Sequence, residues 1–331
     1  MTSAWRDGIR RVNGAPALLI GVWALPLLVS VPMAAAMRGM LAQHLGASLA
    51  GDTAASGVDY DWMQEFGDQA AGLGVTFRPT ILGFGAVLDN LSAFIDNTMR
   101  PVVIVAAATV YIVLWIFVAG GIIDRYARER PTRTAGFFAS SGVFFFRFLR
   151  LAAVQWIVYA LLFGWVHPLV FDRLYPEMVR EIPVERTAFA IRAALYLVFG
   201  LVVAVCTSVF DYAKVRAVVE DRRSMISATA QAIGFIRRNL REAAALFLAN
   251  FALFTAVVAL YAFAAPGAGR TGASMWLGFA IGQIYVIARL WVKLVFWASE
   301  TALFQSRLAH AGYVNRPEPA WPESPEAEAI S

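Results

Sequence analysis

Six stretches of about twenty or more predominantly apolar residues constrain this chain more than anything else in it: 16–37, 101–123, 149–171, 188–210, 243–264 and 276–298. About 20 such residues in a helix cross a hydrocarbon layer of roughly 30 Å. Within lipid the backbone has no water to bond to, so a span must satisfy its own N–H and C=O groups as a helix. The expectation is an all-α membrane protein with six transmembrane helices. Only 15% of the 331 residues are charged, against roughly 25% in soluble domains.

The charge is distributed by side. Segments 1–15, 124–150, 211–242 and 299–331 hold 18 Lys and Arg residues, and segments 38–100, 172–187 and 265–275 hold 7. The positive-inside rule places the first group in the cytoplasm, so both termini are expected inside, as six spans require. Arginine outnumbers lysine 26 to 2, which suggests a GC-rich bacterial genome and hence a bacterial inner (cytoplasmic) membrane. The net charge of +5 is carried by this asymmetry and implies no nucleic-acid partner. A single cysteine, Cys206, lies inside the fourth run and can form no intrachain disulfide. Arg6, Arg10 and Arg11 followed by an apolar run and "VPMAAAM" imitate a signal peptide, but 16–37 exceeds the roughly 7–15 residues of a signal core, and it is expected to remain as a span.

Short similarities organise the chain into three hairpin units. "GIRRVN" (8–13), "FFRFLR" (145–150) and "FIRRNL" (235–240) each precede an odd-numbered span, and the even-numbered spans end at Asp124, Asp211 and Glu300. Each unit reads as a basic amphipathic helix, a span out and a span back that ends at a carboxylate. In 224–241, Met225, Ile226, Thr229, Ile233, Ile236 and Leu240 recur at helical spacing, with Arg237, Arg238 and Arg241 at the end that enters the next span. In 134–150, phenylalanines surround Arg147 and Arg150. Apolar faces flanked by arginines suit the headgroup boundary and anionic lipids; ordinary orientation charge with an aromatic belt accounts for the same pattern.

Basic amphipathic helices alternating with hairpins of spans, carried here by "IRRVN", "FRFLR" and "IRRNL", resemble the membrane module that precedes the catalytic domain in some bacterial glycerophosphodiester phosphodiesterases, and related stand-alone membrane proteins. The likeness is one of layout over 1–312. No catalytic domain is expected after it, so the resemblance implies no phosphodiesterase activity. Residues 313–331, with four prolines and four glutamates, read as an extended cytoplasmic tail.

The outer loop 38–100 is expected to be short helices joined by turns, with 81–96 an apolar-striped helix too short to span. Seven acids there face three arginines. Asp61 and Glu65 share a helical face and Asp59 is close in sequence, a set of hard oxygen ligands of the kind calcium takes, but it lacks the spacing of a known loop; helix capping by Asp59 and plain solvation are the expected account, and no metal is expected. No HExxH, paired-cysteine, phosphate-loop or Gly-x-Ser-x-Gly pattern is present, the three histidines are scattered, and no cofactor is expected.

Arg289 and Lys293 lie one turn apart inside the sixth run. Lys293 can snorkel, but Arg289 is too deep for that, and an unpaired charge at depth costs at least about 2.5–3.5 kcal/mol. Gln155 and Asn250 fall at comparable depth, and Asp124 and Asp211 close their spans. A polar layer follows, with Arg289 and Lys293 facing Asp124 or Asp211, either as interhelical glue or around a hydrated pocket for an anion or headgroup. Function then falls into three classes. The first is a non-enzymatic protein that organises or handles lipids or an anionic small molecule. The second is a transporter built on the Arg289 layer, and the third a membrane enzyme with its chemistry in 38–100.

Overall fold

The computed structural model describes residues 2–46, 48–56, 59–78, 83–129, 131–267 and 272–308. The tail expected at 313–331 lies outside them. Among the described residues all regular structure is helical, and six helices are long and apolar enough to cross a membrane. The chain is an all-α membrane protein with six spans. In order, α1 is Thr2–Asn13, α2 Pro16–Leu45, α3 Ala50–Ser56, α4 Tyr60–Gln69, α5 Gly83–Ile95, α6 Val102–Arg128 and α7 Thr134–Leu161. The third span runs on from α7 through two π-helical segments, Leu162–Val166 and Leu169–Leu174, into α8, Tyr175–Val179. Then come α9, Glu185–Val219; α10, Met225–Arg238; α11, Leu240–Ala264; and α12, Ala273–Ser306.

The helices outrun the apolar windows. Expected spans 188–210 and 276–298 belong to Glu185–Val219 and Ala273–Ser306. Hydropathy marks the part of a helix that lipid surrounds, whereas the polar ends keep helix propensity and gain partners by packing. The separate amphipathic helix expected at 134–150 is the first half of α7 itself.

The core gathers at one end of the bundle, here the basic end. It takes Trp115 to Ala127 from α6, Phe144 to Leu151 from α7, Phe210 to Val219 from α9, and Leu290 to Phe304 from α12, with α1 and α10 packed among them. Three close pairings build it: α7 on α6, α10 on α9, and α1 on α12. Each basic helix packs on the returning span of the preceding unit, and α1 closes the sequence on the last. The expected three-unit layout therefore corresponds to a ring of pairings. The basic helices also pack inward: Met225, Ala228, Ala232 and Phe235 of α10 and Ala4 and Val12 of α1 are buried in the bundle. Ile226, Ile233 and Leu240 remain exposed along another edge of α10 and of the α11 start.

Small residues permit these approaches. Gly120 and Gly121 of α6 admit Phe144 and Ser141 of α7; a methyl group on either would lie 2.7 Å from Phe144 Cβ or 2.5 Å from Ser141 Oγ. Gly8 presses α1 onto α12 so closely that a Cβ there would sit 2.6 Å from Ser299 Cβ and 2.7 Å from its Cα. Arg11 then ties α1 down. Its guanidinium, 7% exposed, pairs with Asp7 at 2.7 Å and Glu129 at 2.6 Å. It also donates to the Tyr126 carbonyl at 2.8 Å and to Gln305 Oε1 at 2.7 Å.

Gly8→Ala should lower the thermal unfolding midpoint in detergent, because the obstruction is backbone that cannot move aside; overpacking of this kind costs about 1–3 kcal/mol. Gly234→Ala on α10 meets only the Arg238 guanidinium at 3.9 Å, and its better helix propensity should leave the midpoint unchanged or raise it.

Candidate functional site

Two polar regions lie within the spans. The first is a crevice of about 1160 Å³ between α5, α11 and α12, with Arg289 among its lining residues. It lies in the half of the bundle away from the main core. Asn90 of α5 and Gln283 of α12 contribute its other polar groups, and Phe94, Phe254 and Phe279 its apolar walls. Tyr261 and Tyr285 stack at 3.9 Å, 8° from parallel, and fix α11 against α12 beside it. Gln283 accepts a hydrogen bond from Trp23 at 3.1 Å, which attaches α2.

Arg289 retains accessible surface, and its guanidinium lies 5.6 Å from the centre of the Tyr285 ring. Among the described residues it forms no ion pair. One turn deeper, Lys293 Nζ sits 3.6 Å from the centre of the Trp115 ring and 5.6 Å from that of Trp297. Lys293 keeps accessible surface. Lys214 of α9 lies over another part of the Trp297 ring, 5.5 Å from its centre. Cations over aromatic faces gain on the order of 0.5–2 kcal/mol, which offsets part of their desolvation.

The expected pairing of Arg289 and Lys293 with Asp124 or Asp211 is not what forms. Asp124 is taken by Arg128 at 2.8 Å and Ser140 Oγ at 2.9 Å, and Asp211 by Lys214 at 2.8 Å. Each carboxylate finds its cation within one turn on its own helix, because that partner is held in reach whatever the tertiary arrangement. Glu300, the third acid of the series, has no such cation; it is buried, and its Oε2 has no hydrogen-bond partner.

The rest of the expected polar layer divides. Asn250 is fully buried, accepts from Trp5 Nε1 at 3.0 Å and donates to Ser299 Oγ at 2.9 Å, joining α1, α11 and α12. Gln155 is half-buried and makes no side-chain hydrogen bond among the described residues.

Of the arginines read as headgroup ligands, Arg147 is engaged: it pairs with Asp221 at 2.6 Å, donates to the Arg222 carbonyl and covers the Phe144 ring. Arg150 is exposed and donates to the Phe146 carbonyl of its own helix. Arg237, Arg238 and Arg241 are exposed and form no ion pair among the described residues. The buried role of Arg11 escaped sequence reasoning, since "IRR" at 9–11 and "IRR" at 236–238 look alike; only their neighbours differ.

The outer-loop acids do not converge. Asp59 caps α4, accepting from Trp62 N at 3.0 Å, while Asp61 and Glu65 are exposed. Among the described residues no three His, Cys, Asp or Glu side chains stand close enough to hold a metal ion. Loop 38–100 is short helices, as expected. Trp62 and Phe66 of α4 pack with His44 of α2 and with Phe77, and Trp62 Nε1 donates to His44 Nδ1 at 3.1 Å.

Helix α5, a wall of the crevice, is anchored at its far end. Asp96 accepts from Tyr196 at 2.6 Å and from Arg192 at 3.3 Å, His167 Nε2 bonds the Ile95 carbonyl at 2.8 Å, and Asn97 donates to the Phe163 carbonyl at 2.9 Å. The Tyr196 hydrogen bond, with those of Ser92 and Arg192, holds the Asp96 carboxyl below its ordinary value of 3.8.

No family model, curated protein or solved structure matches this chain.

Arg289→Leu should leave the thermal midpoint in detergent unchanged or raise it, since it deletes a charge that no carboxylate among the described residues balances; a large fall would show a hidden ion pair. A second expectation concerns pH. A lowered carboxyl pKa contributes stability that is present above the unfolded value and lost as pH falls through the folded one. The protection of the 83–95 amides, their hydrogen-exchange rate relative to the intrinsic rate at each pH, should therefore be constant from neutrality to about pH 4 and fall below the ordinary Asp96 value of 3.8. In Asp96→Asn this acid-dependent step should shrink.

Proposed function

We propose that this is a non-enzymatic protein of the bacterial inner membrane, with both termini cytoplasmic, that handles an anionic amphiphile (a lipid or a smaller organic anion) in the crevice ending at Arg289. The orientation rests on the charge asymmetry of 18 against 7 and places the crevice in the outer half of the bilayer. One observation carries the reading: an accessible guanidinium with no acid partner among the described residues stands beside apolar walls in about 1160 Å³ of space. Binding sites of this kind combine mostly apolar lining with a few placed polar groups. An anion would supply the missing counter-charge, and an apolar tail would occupy the walls of Phe94, Phe254 and Phe279. The layout resembles the membrane module of glycerophosphodiester phosphodiesterases, and that likeness is offered as architecture alone.

A transporter is the second reading, favoured by Lys293. It continues the line of Arg289 one turn deeper and keeps accessible surface, and Lys214 follows across Trp297. Arg289 and Lys293 in series would pass an anion inward, toward Lys214, whose charge Asp211 already balances at 2.8 Å.

Gly282 lines the crevice and a Cβ there meets nothing within 4 Å. In a Cys206→Ser background, cysteine in place of Gly282 should react with a membrane-impermeant thiol reagent added outside intact cells. Dodecyl phosphate should slow that labelling in purified protein, and Arg289→Gln should remove the protection. Labelling only from the cytoplasm would reverse the orientation; labelling that dodecyl phosphate leaves unchanged would remove the anion from the proposal.

A further inference from the structure

A second cavity, of about 410 Å³, lies at the basic end between the α1–α2 elbow, α6 and the start of α7. It is separate from the Arg289 crevice and shares no lining residue with it. Arg125 lines it, half-buried. Its neighbour Asp124 is fully committed to Arg128 and Ser140, and Arg125 has neither an ion pair nor a side-chain hydrogen bond among the described residues. A guanidinium presents five donors and cannot deprotonate, so partial withdrawal from water beside apolar walls leaves it seeking an anion.

The rest of the polar end points the same way. Thr132 and Thr134 bring hydroxyls. Helix α7 begins at Thr134 with no side-chain cap among the described residues, so the free N–H groups of its first turn and its positive dipole end stand at the cavity beside Arg125; the start of α2 adds little, because Pro16 has no N–H and Leu18 N already bonds the Ala15 carbonyl at 3.0 Å. The opposite wall is apolar. Leu18, Val22 and Leu25 of α2 fall at helical spacing up the first span and face Val118, with Gly21 leaving open space among them. Leu18 to Leu25 rises about 10 Å at 1.5 Å per residue, enough to lay part of an acyl chain alongside. Free phosphate would have no use for such a wall, and a wholly apolar ligand none for Arg125.

We infer that this cavity is a binding site for an anionic phospholipid of the leaflet at the basic end, its phosphate between Arg125, Thr132 and Thr134 and an acyl chain against Leu18, Val22 and Leu25. The site does not depend on the crevice reading.

The test uses the full chain purified in a nonionic detergent and titrated with dioleoyl phosphatidylglycerol, with dioleoyl phosphatidylcholine and inorganic phosphate as separate arms. Phosphatidylglycerol should raise the thermal midpoint and be retained in native mass spectra, while phosphatidylcholine does so far less. Arg125→Gln should weaken the phosphatidylglycerol effect about tenfold, the loss of roughly one charge-assisted contact. Gly21→Phe, which fills open space in the apolar wall and leaves the polar end intact, should weaken it as well. Arg289→Gln should leave it unchanged, which separates this site from the crevice. Three results overturn the inference: equal shifts with phosphatidylcholine, a phosphatidylglycerol shift indifferent to both Arg125→Gln and Gly21→Phe, or a shift that inorganic phosphate reproduces and Gly21→Phe does not alter, which would mark an ion site only. If Arg125→Gln does not fold, the Gly21→Phe arm decides alone.

Discussion

The Arg11 guanidinium holds the basic end together. From α1 it reaches Asp7 on its own helix, Glu129 and the Tyr126 carbonyl at the end of α6, and Gln305 at the end of α12. Gln305 in turn donates to the Ala127 carbonyl at 2.8 Å. The last carbonyls of α6, orphaned by the end of the helix, thus receive donors from two other elements, and a cation meets the negative end of the α6 dipole. A buried charge is tolerable only when its partners are in place. Here they come from both the first and the last hairpin, so the interaction forms only once the ring of pairings closes.

That arrangement divides the molecule mechanically. At the basic end, glycine-mediated contacts and the Trp5–Asn250–Ser299 relay lock α1, α11 and α12 together. Away from it the spans expose much of their apolar surface, including Val105, Ile157, Leu201 and Phe263, which lipid covers at no cost in water contact. Helices that lipid can solvate as well as protein does gain little from packing there. The space left between α5, α11 and α12 is a consequence, and the hydrogen bonds of α5 to the α7 and α9 spans bound it.

The unpartnered arginines follow from the same division. Arg128 and Lys214 satisfy Asp124 and Asp211 locally, and Arg11 uses Asp7 and Glu129. Asp124, Asp211, Asp7 and Glu129 are then consumed, and among the described residues neither Arg289 in the crevice nor Arg125 in the cavity at the basic end forms an ion pair. Both stand where space adjoins them.

Sequence alone determined the six spans, the basic helices ahead of the first and fifth, the short helices of 38–100 and the cap at Asp59. Each follows from local composition: hydrocarbon thickness sets a run length, and a capping side chain needs only its own first turn. Asn250 was legible as a polar group too deep to be idle, though its partners were not. Tertiary structure decided which charges meet. Arg11 and Arg238 occupy matching places in nearly identical short sequences, yet one is buried in a network and the other exposed, because only α1 lands between the ends of α6 and α12. Likewise Arg289 and Lys293 were visible as cations deep within the sixth span, but the depth of a residue does not say which helix face opposes it. Asp124 and Asp211 lie at suitable depths and are already held by cations three or four residues away, a separation at which no folding is needed to bring partners together. The crevice itself had no sequence signal, since it is a gap between helices whose apolar faces read the same whether they meet protein, lipid or a ligand.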